Sequence, residues 1–437
     1  MRPCRGMLVL TVLAVAACRG DAPRRAPPVP VASGVPVAPV VPDAAVRAAT
    51  WYRAVIRSAD GTEVPFFLGF DPAAHGGEAI FKAGSHEVRT GATFDGETLD
   101  APMAVHQTAV HGSVGPTGTL SGTFSTSWKS WGASSLPFEA HLVSAPALGA
   151  LDPLMPLPGQ PAEPPLDLGE PRTVWRIAMA ESGAGRLVLT QHAPGELEGV
   201  IAFDTGNRVD LAGTARGHRV ALTGFDGTAG YRLELDLDAA STHARGHWIA
   251  GHRLDWREDF TARRGPDFEL AEKTKAASKR AVITLPDLPE LRALPAGPLV
   301  VELAGSWCST CRSAAPFLVA LERDYHARGL QMVTLLYELT GDPATDAKQV
   351  ATFRQTYGVT WPVVAVPGDV DHFAEIIPGG LRDVDPGGFP MMLFLAADRT
   401  LVGLHAGFPG ATDTVDRAHA EATIRATVDR LLGAPLR

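Results

Sequence analysis

Between Pro298 and Gly329 the chain reads PLVVELAGSWCSTCRSAAPFLVALERDYHARG, an apolar run that passes through two cysteines directly into a helical pattern. PLVVELAGSW is too short for a helix of its own and suits a strand buried on both faces. After it, Leu318, Leu321 and Tyr325 recur at helical spacing until Gly329 stops the helix. The same grammar continues: LQMVTLLYE is a second buried strand, ATDAKQVATFRQTYGV a second amphipathic helix, and MMLFLAAD with LVGLHAGF a hairpin turned by Asp398-Arg399. TVDRAHAEATIRATVDRLLGA is a long final helix. That β-α-β-α-β-β-α order predicts an α/β sandwich over residues 283–437 with the two thiols where its first strand meets its first helix.

Of the four cysteines in 437 residues, the other two lie at the start of the chain. Arg2 and Arg5 precede an apolar run, Met7 to Ala17, that is too short for a permanent membrane span and reads as a targeting segment. It ends in Val15-Ala16-Ala17-Cys18, which resembles the lipobox of bacterial lipoprotein signal peptides and implies removal of residues 1–18 as a signal, with lipidation at Cys18. An ordinary secretory signal with Cys18 incidental is the alternative, and both readings place the protein outside the cytoplasm, in the cell envelope. Cys4 leaves with the signal, so the mature chain keeps one close thiol pair in a compartment where disulfides persist. Two thiols alone make a poor zinc site.

The remainder divides by composition. Residues 19–48 are rich in Pro, Ala and Val and read as an extended spacer; 146–172 are proline-rich again; 266–282 are a charged linker. Two folded units are left before the cysteine domain, 49–145 and 173–265, and they resemble each other. TWYRAVI answers TVWRIAM, TGTLSGTFSTSW answers STHARGHWIAGH, and LPFEAHL answers EDFTARR, at nearly constant offset. Both carry short alternating runs broken by Gly-containing turns, as antiparallel β sandwiches or small barrels do. The expected fold class is therefore α+β multidomain: two tandem antiparallel all-β units followed by the α/β sandwich. The formal net charge of −9, with signs interspersed rather than in blocks, gives no surface for nucleic acid.

A cysteine in the first turn of a helix faces free backbone N–H groups and the positive end of the helix dipole, which favour thiolate. In Cys-x-x-Cys sites the pKa falls from about 8.5 to between about 3.5 and 7.5. Cys308 is placed to attack a disulfide, and Cys311, three positions on along the same face, to resolve the mixed disulfide.

With these residues in view, the C-terminal part resembles the TlpA/ResA-like family of membrane-attached bacterial thiol-disulfide oxidoreductases with a thioredoxin fold. GSWCSTC matches the family's Trp-Cys-x-x-Cys, Pro316 the proline that kinks the active-site helix, and Gly388-Phe389-Pro390 the cis-proline that faces the disulfide. The resemblance implies a redox disulfide between Cys308 and Cys311, supporting roles for Trp307 and Pro390, and Glu338 as proton acceptor for the buried cysteine. Ser309-Thr310 departs from the family, where a proline is common at the second inner position, and puts the redox potential in question. No organic cofactor is implied. Family likeness favours net reduction of disulfides in exported proteins, with electrons from a membrane-borne donor.

Two rivals follow from the same residues. A peroxiredoxin-like antioxidant peroxidase would need a Pro-x-x-x-Thr-x-x-Cys approach, which Glu302 to Trp307 do not supply; a non-catalytic envelope scaffold would use the β units for binding and the last domain for docking. His243, His247 and His252 cluster in the second β unit, yet on turn-broken strands they share no fixed face, and no metal site is assigned.

Overall fold

The computed structural model describes residues 49–437 except 75, 155–160, 162, 271–280, 369, 382–387, 411–412 and 434–437. The signal segment, Cys18, the 19–48 spacer and most of the 266–282 linker thus lie outside the described residues.

Strand alternation builds the first unit. In Thr98–Met103, Leu99, Ala101 and Met103 are buried while Thr98, Asp100 and Pro102 are exposed, the period-two pattern of a sheet with one wet face. Nine antiparallel strands, from Thr50–Arg57 to Ser134–Val143, form one meander in which the first strand pairs with the last (Val55 opposite Glu139). Its two edge strands, His86–Gly91 and Thr93–Phe94, are consecutive in sequence, so the sheet is almost closed.

The second unit closes completely. Eight strands from Arg172–Met179 to Trp256–Gly265 form a barrel, sealed where Ile177 pairs with Ala262. Closure removes the unpaired edges that an open meander would present. Trp175, Leu187, Leu189, Leu222 and Leu233, all fully buried, fill the interior, as expected of a barrel this narrow. The segments aligned by sequence hold equivalent places: first strands Thr50–Arg57 and Arg172–Met179, last strands Ser134–Val143 and Trp256–Gly265.

The last third holds a five-stranded mixed sheet. Its order is Val363–Ala365, Gln331–Leu336, Leu299–Ala304, Met391–Leu395, Leu401–Ala406, with the central strand parallel to Gln331–Leu336 and antiparallel to Met391–Leu395. Every residue of Leu299–Ala304 is buried. Helices Ser309–Tyr325, Pro343–Tyr357 and Thr414–Leu431 accompany it. Asp342 caps the second through Thr345 N–H at 3.0 Å, and Gly358 ends it at φ +68°. The predicted hairpin turns at Asp398, whose carboxylate accepts Thr400 N–H at 3.0 Å, with Arg399 at φ +66°.

The α+β multidomain class is corrected on two counts. Among the described residues the structure is mostly β, with 19% helix, and the part that holds the long helices is about a third of the chain. The units are also not separate bodies, because the described residues fall in one compact unit. Phe225, at the end of a barrel strand, leaves its own unit and packs against Phe66, Phe124 and Phe81 of the first at centroid distances of 4.6, 5.0 and 5.4 Å. Ile249 and Leu254 join it in that core, and Trp128 of the first unit is buried in the core of the last. Helical periodicity after residue 309 overweights helix, and the residues that carry these shared cores, at strand ends, in a strand and in turns, bear no sequence mark of the unit they pack against. Among the described residues no helix is long and apolar enough to cross a membrane.

Candidate redox site

Cys308 caps the helix Ser309–Tyr325 with extended backbone, and its Sγ accepts the Cys311 N–H at 3.0 Å. The two cysteines are joined as a disulfide, Cα atoms 5.3 Å apart. Cys308 is 7% exposed and Cys311 fully buried. The N-terminal position gives Cys308 the helix dipole and the free N–H groups of the first turn, the surroundings that stabilise a thiolate once the bond is reduced. Pro316 lies inside this helix.

The neighbouring residues converge. Trp307 donates its indole N–H to Tyr337 O at 2.8 Å and meets Phe389 edge-on at 5.5 Å. The Phe389-Pro390 bond is cis, and Pro390 O accepts Gly407 N–H at 2.7 Å. Glu338 sits just past the strand Gln331–Leu336 and is tied to the loop before the cysteines: it accepts Ser306 N–H at 3.1 Å and Ser306 Oγ–H at 2.6 Å. Burial pushes its carboxyl up to about 7, with a further push from Asp346, against the pull of its hydrogen bonds from Ser306 and Gln107. Cys308, Cys311, Trp307, Glu338 and Pro390 thus share one corner of the mixed sheet. His243, His247 and His252 do not come together: His247 pairs with Asp259 at 2.6 Å, whereas His252 bonds Gly132 O at 3.1 Å and lies against Trp128.

Several residues of the mixed sheet and of its surroundings carry no motif in the sequence. Glu302 lies on the central strand, six residues before Cys308, and is completely buried, which raises its carboxyl to about 7. Thr334 Oγ–H donates to its Oε2 at 2.7 Å, and Trp361 Nε1–H to Thr334 Oγ1 at 2.9 Å, while Oε1 has no hydrogen-bond partner among the described residues. A single acid in an otherwise apolar strand was the available signal. Glu302 and Glu338 are therefore two carboxyls poised to hold or give a proton near neutral pH.

The remaining missed residues come from the β units. Gln107 Nε2–H donates to Glu338 Oε2 at 3.1 Å, and Thr228 Oγ–H to Trp307 O at 3.0 Å. Arg312, directly after Cys311, donates to His106 Nε2 at 3.1 Å and to Asp226 O at 3.4 Å. Burial and the Arg312 charge hold His106 neutral, its pKa brought down to about 3. Burial opposes the charge on Asp226, yet hydrogen bonds from Ser309 and Ala229 and the Arg312 charge prevail and keep its carboxyl below the ordinary range. Tyr231 O–H also donates to it, at 2.9 Å. No sequence pattern links Gln107, Thr228, His106 and Asp226 to Glu338, Trp307 and Arg312, which lie 79 to 231 residues from them.

No protein-family model matches the sequence, and no curated protein does. Among solved structures, a thiol:disulfide interchange protein of the thioredoxin family from Chlorobium tepidum TLS is 20% identical over 32% of this chain and 81% of its own, at a TM-score of 0.22. A DsbF homologue from Corynebacterium diphtheriae is 18% identical over 32% of this chain and 82% of its own, also at 0.22. A thioredoxin-like protein solved in its oxidised form is 14% identical over 33% of this chain and 97% of its own, at 0.23. In each case the likeness covers about a third of this chain. No conclusion about activity follows from it.

Proposed function

We propose that the chain is a thiol-disulfide oxidoreductase that works through Cys308 and Cys311. The observation that carries this reading is the Cys308–Cys311 disulfide at the helix N-terminus, with Cys308 Sγ accepting a first-turn N–H and Trp307 packed against the Phe389-Pro390 loop.

From the reduced form, the Cys308 thiolate attacks one sulfur of a substrate disulfide, forming a mixed disulfide and expelling the other sulfur as a thiolate. Cys311 loses its proton and attacks Cys308 Sγ; the mixed disulfide breaks, the second substrate sulfur leaves, and the Cys308–Cys311 bond forms. The substrate gains two electrons that the cysteine pair loses. Glu302 and Glu338 supply carboxyls that can take and return the proton near neutral pH. Regeneration needs a dithiol donor from outside the chain.

In the finer reading the protein is exported and held at the envelope by lipid on Cys18, reduces disulfides of exported proteins, and draws electrons from a membrane-borne donor. Its support is the N-terminal sequence and the single thiol pair left in the mature chain. The test is Cys311→Ser: covalent adducts through Cys308 should accumulate with disulfide-bearing partners and disappear in Cys308→Ser. A Cys311→Ser protein that traps nothing, from cells or from a model disulfide, would count against any exchange role.

A further inference from the structure

Four turns of the β units close around the cysteine loop. The turn at 127–133 of the first unit lays Trp131 edge-on against Trp307, centroids 4.7 Å apart, and is pinned by Lys129 and Ser130 N–H to Leu339 O at 2.7 and 3.1 Å. The turn at Gln107 reaches Glu338. From the barrel, Thr228 bonds Trp307 O, and Thr205 O accepts the N–H of Gly388 at 2.7 Å, two residues before Pro390. Each side of the motif that could receive a partner, the Trp307 ring, the loop before the cis-proline and the strand end at Glu338, thus already touches a β turn. Cys308 keeps only 7% of its surface open.

We infer that the β units are a steric filter over the cysteine pair, with Trp131 as the specificity-determining residue. Thiols and disulfides on small molecules or on extended peptide reach Cys308, and those set in a folded surface do not. This rests on the reading of Cys308–Cys311 as an exchange pair. Trp131 suits the part because its ring, carried on a β turn at φ +63°, stands against Trp307 while 40% of it remains exposed.

The test opens the disulfide of the oxidised full-length chain with two monothiols, reduced glutathione and ubiquitin carrying one engineered surface cysteine. In each case the incoming thiolate attacks Cys308 Sγ, the bond to Cys311 breaks, a mixed disulfide forms, and Cys311 leaves as a thiolate that takes a proton from water. Mixed disulfide is read by acid quench and mass spectrometry, and each thiol is normalised to its own rate with dithiodipyridine. Glutathione should react at least about 100-fold faster than the ubiquitin thiol in the wild type, and the gap should shrink to about tenfold or less in Trp131→Ala and be kept in Trp131→Phe. Equal normalised rates in the wild type overturn the filter, as does an unchanged gap in both Trp131→Ala and the Trp131→Ala/Gln107→Ala double variant. If neither thiol opens the bond in any variant, the exchange reading itself fails.

Discussion

The indole of Trp131 meets that of Trp307 at an interplanar angle of 74°, across 176 residues of chain. One ring belongs to a β turn and the other adjoins Cys308, so the disulfide corner is built by two units that sequence alone would treat as independent. Edge-to-face pairs contribute about 0.5–1.5 kcal/mol beyond area burial. Trp131→Ala should lower stability in urea by about 1 kcal/mol, and a loss below the error of the measurement would show the contact to be energetically idle.

Phe225 links the two β units, 1% exposed and ringed by Phe66, Phe81 and Phe124. Truncating a buried Phe to Ala costs about 3–5 kcal/mol. Phe225→Ala should fall in that range and split a single thermal transition into two, seen by calorimetry. Retention of one transition at nearly unchanged temperature would mean that the shared core is not what couples the units.

Glu302 gives a pH signature. Its folded pKa, about 7, lies above the ordinary carboxyl value, so the folded state binds the proton more tightly than the unfolded chain. The associated stability is fully present below the unfolded pKa and is lost as pH rises through about 7. The wild type should therefore lose more stability between pH 5 and pH 8 than Glu302→Gln, which cannot ionise. Parallel profiles for the two proteins would contradict the assignment. Glu338 acts in the same direction, so Glu302→Gln should flatten the profile only in part.

Asp226 works with the opposite sign. Its folded pKa is depressed, with Arg312 among the causes, so its contribution is present above the unfolded value and is lost as pH falls through the folded one. Arg312→Gln removes that charge and should destabilise the protein at pH 7 by roughly 3 kcal/mol, since a buried carboxylate loses a compensating partner. Adding Asp226→Asn should recover part of the loss. Additive losses in the double variant would sever the proposed coupling.

How much of this could be read in advance varies with distance along the chain. Cys308 at a helix start, the helix itself, the hairpin turned at Asp398 and the alternation in Thr98–Met103 all depend on neighbours a few residues away, and local pattern captures them. Glu302 is readable as a lone acid in VVELA, but its raised pKa depends on what surrounds the carboxyl, which the strand's own sequence does not give. Gln107, Trp131, Thr205 and Thr228 lie in unremarked turns. Nothing near them in sequence distinguishes a turn that meets water from one that meets Trp307.

The order of residues determined by itself that two thiols would stand three apart at the mouth of a helix, because backbone geometry and a dipole within one turn are local properties. Only tertiary packing decided that the class is mostly β rather than α+β, that the barrels share cores with their neighbours, and that β turns enclose the cysteines. Those outcomes depend on which apolar surfaces find each other once the sheets have closed, and burial is a property of the assembled whole.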